Sequence, residues 1–233
     1  MAGAVISIRH LSDTASLVAQ LIACVVSILI GVLIARKLGL AFDQLGFQAP
    51  ALGSSKAVFF YVPAIVVVLL NIAAGFSGSA EASYLLVLLV FAACVGINEE
   101  LYFRGIILKR LWQLGAVKAI VIASVLFGLL HTANLLGNYK PSPYVLLQIV
   151  FAFAFGVFAA EMVVITKSLW PVIVFHFAND FISELNGSTV TTTMVVVTAI
   201  QVVIMVICAV ALWRRATAEQ PVAAHRLGVE AVS

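Results

Sequence analysis

Seven polar side chains that could together form a catalytic site lie inside long apolar stretches of this chain. They are two neighbouring carboxylates, an arginine, two imidazoles and an amide next to a carboxylate: Glu99, Glu100, Arg104, His131, His176, Asn179 and Asp180. Carboxylates and imidazoles move protons near neutral pH, and together they can also bind a metal ion. If the apolar stretches cross a membrane, each buried charge costs about 2.5–3.5 kcal/mol, which favours a functional role.

Helical spacing groups these side chains within each stretch. Glu100 and Arg104 are four residues apart, so they lie on one face of a helix and can form an ion pair. Glu99 lies about 100° round the helix from Glu100, so it cannot easily share that partner. His176 shares a helix face with the polar residues at 179–180 in the same way.

The composition predicts the environment of these stretches. Hydrophobic residues make up 64% of the 233 residues and charged residues only 10%, whereas soluble domains carry about 25% charged residues. So few charges cannot solvate the surface of a soluble protein of this size. The composition therefore excludes a cytosolic globular enzyme, a nucleic-acid-binding protein and a disordered chain, and it predicts an integral membrane protein.

Seven stretches are long enough to cross the roughly 30 Å hydrocarbon core of a bilayer as helices. They are residues 14–35, 57–76, 83–109, 119–136, 143–166, 169–185 and 189–213. We predict an all-α polytopic membrane protein with about seven transmembrane helices, eight being the alternative, in one domain over 14–213. An N-terminal segment, 1–13, precedes this domain, and a polar tail, 214–233, follows it. The candidate residues fall on spans three, four and six, so the active site is predicted between them.

Basic residues are divided unevenly between the two faces of this bundle. One face carries Arg36, Lys37, Lys56, Lys109, Arg110, Lys118, Lys167, Arg214, Arg215 and Arg226, and the other only Arg9 and Lys140. Because basic loops are retained in the cytoplasm, the N-terminus is predicted outside and the C-terminus inside the cell.

The deep polar groups are predicted to reach a similar depth. At about 1.5 Å per helical residue, Glu99, His131 and His176 lie about 14–20 Å from the nearest basic residue of the Lys/Arg-rich face. Three helices thus bring carboxylates and imidazoles to one level. We predict a shared polar cavity that opens towards the cytoplasm.

Two further features are predicted to play no part in this site. Glu161 lies about 9 Å from the Lys/Arg-rich face and is predicted to reach headgroup water. The phenylalanine-rich run at 151–155 has a period of two, which on a helix spreads the rings around it. This run is predicted to be membrane-exposed packing.

The polar residues form three short motifs that resemble those of a known family. The motifs are Glu-Glu-x-x-x-Arg at 99–104, Phe-x-x-x-His at 127–131 and His-x-x-x-Asn/Asp at 176–180. In this order, on separate predicted spans, they resemble the motifs of the CPBP intramembrane protease family, which includes the type II CAAX prenyl endopeptidases. The resemblance covers about residues 84–185. It departs from the family pattern at Asp180, which stands where asparagine is often found.

The resemblance implies that the chain hydrolyses a peptide bond inside the membrane. Glu99 would be the general base, and it would activate a water that His131 also holds. Glu100 and Arg104 would set the helix and the local charge. The implied substrate is a membrane-embedded or lipidated peptide, such as a prenylated CAAX-type C-terminus.

The third motif is implied to stabilise the tetrahedral oxyanion. His176 would do so together with Asn179 or Asp180, and the resemblance leaves the choice between the last two open. An oxyanion near the bilayer centre needs fixed hydrogen-bond donors because little water is available there. An ionised aspartate cannot donate, so Asp180 is the less suitable of the two.

The family has been described both as metalloproteases and as glutamate-type enzymes. Glu99, His131 and His176 could form a zinc site with an open position for water. However, the chain has no His-Glu-x-x-His, the most specific metalloprotease signal. We favour a glutamate-activated water without a cofactor, with zinc at these three residues as the alternative.

Two other function classes use the same buried charges. An ion-coupled transporter would use them as a relay, but the chain shows no internal repeat of the kind common in transporters. A non-proteolytic immunity or scaffold protein of the same fold would have no reason to bury Glu99. The compact chain suggests a multi-pass protein of a bacterial plasma membrane. Its expected partners are membrane lipids and a peptide substrate, without nucleic acid.

Overall fold

The computed structural model describes residues 13–51, 58–76, 81–135, 140–187 and 189–218, and within these ranges the chain is helical without strands. The helices are α1 (Asp13–Lys37), α2 (Phe42–Leu45), α3 (Val58–Ala73), α4 (Ala82–Glu100), α5 (Leu108–Leu111), α6 (Ala116–Leu130), α7 (Ser142–Thr166), α8 (Trp170–Leu185) and α9 (Thr192–Ala218). A π-helix (Leu101–Ile107) joins α4 to α5, and 3-10 segments follow α5 (Trp112–Leu114) and α6 (His131–Leu135).

A helix or a continuous helical segment lies over each of the seven predicted spans, which confirms an all-α polytopic membrane bundle. Five segments are long and apolar enough to cross a membrane: Thr14–Lys37, Ala82–Leu114, Ala116–Leu135, Ser142–Thr166 and Thr192–Ala218. The helices α3 and α8 have only 16 residues each. A helix of that length spans about 24 Å, which is short of the hydrocarbon core. The number of spans therefore stays a prediction.

The helix α7 lies at the centre of the bundle. In its most apolar window 72% of the residues are buried, compared with 17% in α1. It packs chiefly against α6 and α9, while α1 packs against α4, and α8 against α4 and α3. The outer faces of α1 and α9 expose large apolar side chains such as Leu29 and Val210, as expected for faces that meet lipid.

Two glycines bring helices of this bundle into close contact. A Cβ atom on Gly96 of α4 would lie 3.2 Å from the backbone oxygen of Ile173 in α8. A Cβ atom on Gly156 of α7 would lie 3.1 Å from the Cβ of Ser124 in α6. Small residues at such crossings let membrane helices pack backbone to backbone. These two contacts set the spacing of the four helices that carry the candidate site.

The end of the bundle that carries the Lys/Arg-rich loops is closed by the connection after α1. The backbone N–H of Leu169 donates to the Gly46 oxygen at 2.8 Å, and the Ser168 hydroxyl donates to the Gln48 oxygen at 2.6 Å. This connection therefore packs on the turn between α7 and α8.

The C-terminal boundary differs from the prediction. The last helix runs to Ala218, so it continues through Arg214 and Arg215, where the predicted span ends. Most of the predicted N-terminal segment and the rest of the tail lie outside the described residues.

Candidate active site

The Glu100–Arg104 ion pair is present as the spacing predicted. Glu100 ends α4, and Arg104 follows in the π-helix Leu101–Ile107. The Arg104 Nη1 atom donates to Glu100 Oε1 at 2.9 Å, and the two side chains are only 1% and 0% exposed. A π-helical segment within a longer helix is often found at a functional site.

Arg104 also connects its own helix with α6 and α7. Its Nη2 atom donates to the backbone oxygen of Gly156 at 3.3 Å. Its guanidinium carbon lies 4.3 Å from the ring centroid of Phe127 and 5.3 Å from that of Phe155. A buried cation needs such partners, since no water solvates it. The expectation that the run at 151–155 is membrane-exposed packing is therefore wrong for Phe155, which is 3% exposed and packs against the site.

His176 is the centre of the polar cluster. Its Nδ1 atom lies 2.9 Å from Glu100 Oε1, and because an ionised carboxylate only accepts, Nδ1 is the donor. Its Nε2 atom lies 3.4 Å from Asp180 Oδ2 and 3.7 Å from Glu99 Oε2. Three carboxylates from two helices thus surround one imidazole. The contact between His176 and Glu100 was not predicted, since no local spacing relates residues so far apart in the chain.

The cluster around His176 contains more acidic than basic side chains. Glu99, Glu100 and Asp180 carry three negative charges when ionised, whereas Arg104 and a protonated His176 supply two positive charges. Glu99 and Glu100 are almost completely buried, at 1% and 0% exposed, so solvent compensates little of the difference. The cluster is therefore a buried group of acids and bases with little access to solvent.

His131 has a defined tautomer. It begins the 3-10 segment that follows α6, and its Nδ1 atom lies 2.9 Å from the backbone oxygen of Phe127. Because a carbonyl oxygen only accepts, Nδ1 carries the hydrogen and Nε2 presents its lone pair. The Phe127 ring centroid lies 4.9 Å from the His131 ring and 6.0 Å from the His176 ring. The phenylalanine of the second motif therefore packs against both imidazoles and against Arg104.

A cavity of about 100 Å³ lies beside this cluster. Polar residues from five elements contribute to its wall, among them Asn71, His131, Tyr144, His176, Asn179, Asp180 and Gln201. Both imidazoles therefore face one cavity, as predicted. Glu99 and Glu100 are not among the wall residues, but Glu99 Oε2 and the wall residue Asp180 both lie against His176 Nε2, at 3.7 and 3.4 Å.

The cavity lies nearer the opposite face of the bundle than predicted. Its wall residues belong to the end of α3 and α6, to α7 from its start to its middle, to the first part of α9, and to α8 from its middle to its end. These helix ends are remote from the loops that carry Lys109 and Lys167. The wall residues thus lie away from the Lys/Arg-rich loops, and the side on which the cavity opens stays a prediction. The reason for this placement is that α6 has only 15 residues, so His131, which follows it, lies close to the opposite end.

Glu161 is not solvated as predicted. It lies on the central helix α7, is 0% exposed, and neither of its carboxyl oxygens has a hydrogen-bond partner in the described part of the chain. Distance along the helix was a poor guide here, because the flanking helices cover this level. Glu161 is also not among the residues that form the cavity wall.

Two amides of the cavity wall were missed by the motif analysis. Asn71 of α3 and Gln201 of α9 are 6% and 3% exposed, and they are hydrogen-bonded to each other at 2.9 Å. Uncharged amides inside otherwise apolar spans are the signal that could have identified them.

The zinc alternative is not supported by this geometry. Among the residues that the structure describes, no group of three or more His, Cys, Asp or Glu side chains is arranged to hold a metal ion. The ring nitrogens of His176 already face carboxylates, and His131 uses Nδ1 for the Phe127 oxygen. The predicted ligands Glu99, His131 and His176 are thus not arranged as a three-ligand group in the described residues, and metal dependence stays a prediction.

Fold and site together define a helical membrane protein with a buried acid–base cluster beside a polar cavity. Residues 81–182, a little under half of the chain, match the family model described as type II CAAX prenyl endopeptidase Rce1-like. This segment is therefore Rce1-like, and it contains all three motifs and all seven candidate residues. The match confirms the family resemblance inferred from the motifs. No curated protein and no solved structure matches the chain.

Proposed function

We propose that the chain is an intramembrane endopeptidase that hydrolyses a peptide bond of a membrane-embedded or lipidated, CAAX-type substrate. The observation that carries this proposal is the convergence of three carboxylates on His176 beside a cavity that His131 also faces. The Rce1-like match over the same residues supports a protease of the CAAX endopeptidase kind.

Glu99 is the general base in this proposal. A water bound at the cavity loses one proton to the Glu99 carboxylate, and the resulting hydroxide attacks the carbonyl carbon of the peptide bond. His131 holds this water through Nε2, the nitrogen that the bond to Phe127 leaves as an acceptor. When the tetrahedral intermediate collapses, the C–N bond breaks and Glu99 returns the proton to the leaving nitrogen. Protons therefore balance without a cofactor.

Glu100 and Arg104 position His176 and form a buried ion pair beside it. Glu100 Oε1 accepts from both Arg104 Nη1 and His176 Nδ1, each at 2.9 Å. Arg104 thus compensates the charge of Glu100, while Glu99 takes the proton from water. His176 and a donor at 179 or 180 stabilise the oxyanion, which forms in a site with little water.

The test is cleavage of defined peptides by the purified protein in detergent. The probes are a fluorogenic farnesylated CAAX peptide, the same peptide without the prenyl group and a transmembrane peptide. We expect cleavage by the unmodified protein and loss of cleavage, by at least about 10²-fold, in Glu99→Gln.

The matched control is Glu161→Gln. It makes the same change at another buried glutamate, which lies away from the cavity wall, and it should keep full activity. The proposal fails if the unmodified protein cleaves none of the three peptides. It also fails if Glu99→Gln cleaves as fast as the Glu161→Gln control.

A further inference from the structure

Three buried amides from three helices form a chain of hydrogen bonds that ends at the cavity. Gln201 Nε2 of α9 donates to Asn71 Oδ1 of α3 at 2.9 Å, and Asn71 Nδ2 donates to Asn179 Oδ1 of α8 at 2.8 Å. The three side chains are 3%, 6% and 9% exposed in this order. We name this set, Gln201, Asn71 and Asn179, the amide relay.

The direction of the amide relay is set by a backbone carbonyl. Gln201 Nε2 also donates to the backbone oxygen of Val67 at 2.9 Å. A carbonyl oxygen only accepts, so the group of Gln201 that faces it must be the NH₂ group. That NH₂ group then requires the oxygen of Asn71 opposite it. The remaining NH₂ group of Asn71 requires the oxygen of Asn179 in turn.

The relay therefore decides which end of the Asn179 amide is available to a ligand. Its oxygen is occupied by Asn71, and its Nδ2 atom donates to no group of the described residues. Asn179 contributes to the cavity wall together with His131 and His176. An amide rotated by 180° would present its oxygen instead, and an oxygen would repel a developing oxyanion.

The neighbouring carboxylate has a different partner. Asp180 Oδ2 lies 3.4 Å from His176 Nε2, so Asp180 is engaged as an acceptor towards the imidazole. An ionised carboxylate has no hydrogen to donate to an oxyanion. Of the two residues that the third motif leaves open, Asn179 is thus the one with a hydrogen-bond donor for this task.

We propose that Asn71 and Gln201 are positioning residues that hold the Asn179 amide with its N–H groups towards the cavity, where it donates to the oxyanion. This inference rests on the proposed endopeptidase function. It extends the site to α3 and α9, outside the Rce1-like segment 81–182.

The test uses variants that change the relay without touching Asn179. Asn71→Asp keeps the acceptor for Gln201 but removes the donor to Asn179, so the Asn179 amide is expected to rotate and donate to Asp at position 71. Gln201→Met removes both donors of Gln201 at nearly constant volume and without a new charge, so it serves where the aspartate variant does not fold. Gln20→Glu is the control, an amide-to-acid change on α1, which contributes none of the wall residues.

Steady-state cleavage of the farnesylated fluorogenic peptide gives kcat and KM for each variant. Loss of one oxyanion donor lowers kcat by about 10²–10³-fold. We expect Asn179→Ala to approach this loss, and Asn71→Asp and Gln201→Met to lose at least about tenfold in kcat, with KM within about twofold. The Gln20→Glu control should keep both constants.

A double-mutant comparison separates positioning from a structural effect. If Asn71 acts through Asn179, then Asn71→Asp should cause no further loss of kcat in an Asn179→Ala background. A further loss of the same size in that background would overturn the proposal. Unchanged kcat in both Asn71→Asp and Gln201→Met would also overturn it.

The same measurements distinguish this inference from the function on which it rests. Full activity in Asn179→Ala, combined with loss of activity in Glu99→Gln, would refute the relay and leave the endopeptidase in place. No cleavage by the unmodified protein would refute both.

Discussion

The two adjacent glutamates should fail in different ways when they are changed to glutamine. Glu100 Oε1 accepts from Arg104 and from His176, and the Glu100 side chain is 0% exposed. Glu100→Gln keeps the shape and an acceptor oxygen, but it removes the negative charge between two cationic groups. Arg104, which is 1% exposed, then loses its counter-ion.

The size of this effect follows from the burial of the pair. Breaking a buried ion pair by removing one partner costs about 3–5 kcal/mol. For a chain of this length, 1 kcal/mol corresponds to about 2–4 °C in melting temperature, so Glu100→Gln should lose roughly 6–20 °C. Glu99→Gln should lose much less, because the contact of Glu99 with His176 Nε2, at 3.7 Å, is longer than the 2.9 Å ion pair of Glu100, and because one buried charge is removed. The main effect of Glu99→Gln should instead be a lower kcat.

The assay is a set of melting curves in one detergent, beside cleavage rates, for the unmodified protein, both single variants and Glu100→Gln combined with Arg104→Gln. The double variant should recover part of the melting temperature, since it no longer buries an unpaired cation. Equal losses of melting temperature in both single variants would refute the assignment of separate roles. An unchanged melting temperature in Glu100→Gln would show that the ion pair does not stabilise the fold.

Three further predictions concern packing, cofactor and orientation. Gly96→Ala should lower kcat by about tenfold, because its Cβ would lie 3.2 Å from the Ile173 oxygen and would displace α4, with its glutamates, from α8. The control is Gly39→Ala, which should affect stability alone, because the added Cβ meets no atom within 4 Å. The chelator o-phenanthroline should leave the cleavage rate unchanged; inhibition that added zinc reverses would show that the enzyme needs a metal. In a background without the native cysteines, Asn134→Cys at the cavity wall should react in whole cells with an impermeant thiol reagent added outside, and labelling only after lysis would reverse the predicted topology.

Composition, apolar length and helical spacing were sufficient to predict much of the fold and several contacts of the site. The shortage of charge predicted a membrane bundle, and apolar length placed each span near an observed helix. The four-residue spacing of Glu100 and Arg104 predicted their ion pair, because helix geometry alone brings such side chains together. The three motifs also indicated the family resemblance, and the Rce1-like match covers the same residues.

Tertiary structure decided how these pieces meet. The contact of His176 with Glu100 joins residues 76 positions apart, and it depends on the close approach of α4 and α8 at Gly96. The burial of Glu161 and the side on which the cavity lies depend on which helices flank each level of the bundle. So does the amide relay that ends at Asn179.

The physical reason for this division lies in the range of the interactions. Backbone hydrogen bonds within a helix connect residues up to four or five positions apart. The length of an apolar stretch decides whether that one helix can cross the bilayer. Neither fixes the rotation or the neighbours of a helix, which follow from packing among side chains far apart in the chain. The sequence by itself therefore determined the class of protein and the chemical groups of the site, and the packing of α3, α4, α6, α7, α8 and α9 determined which of those groups face one another.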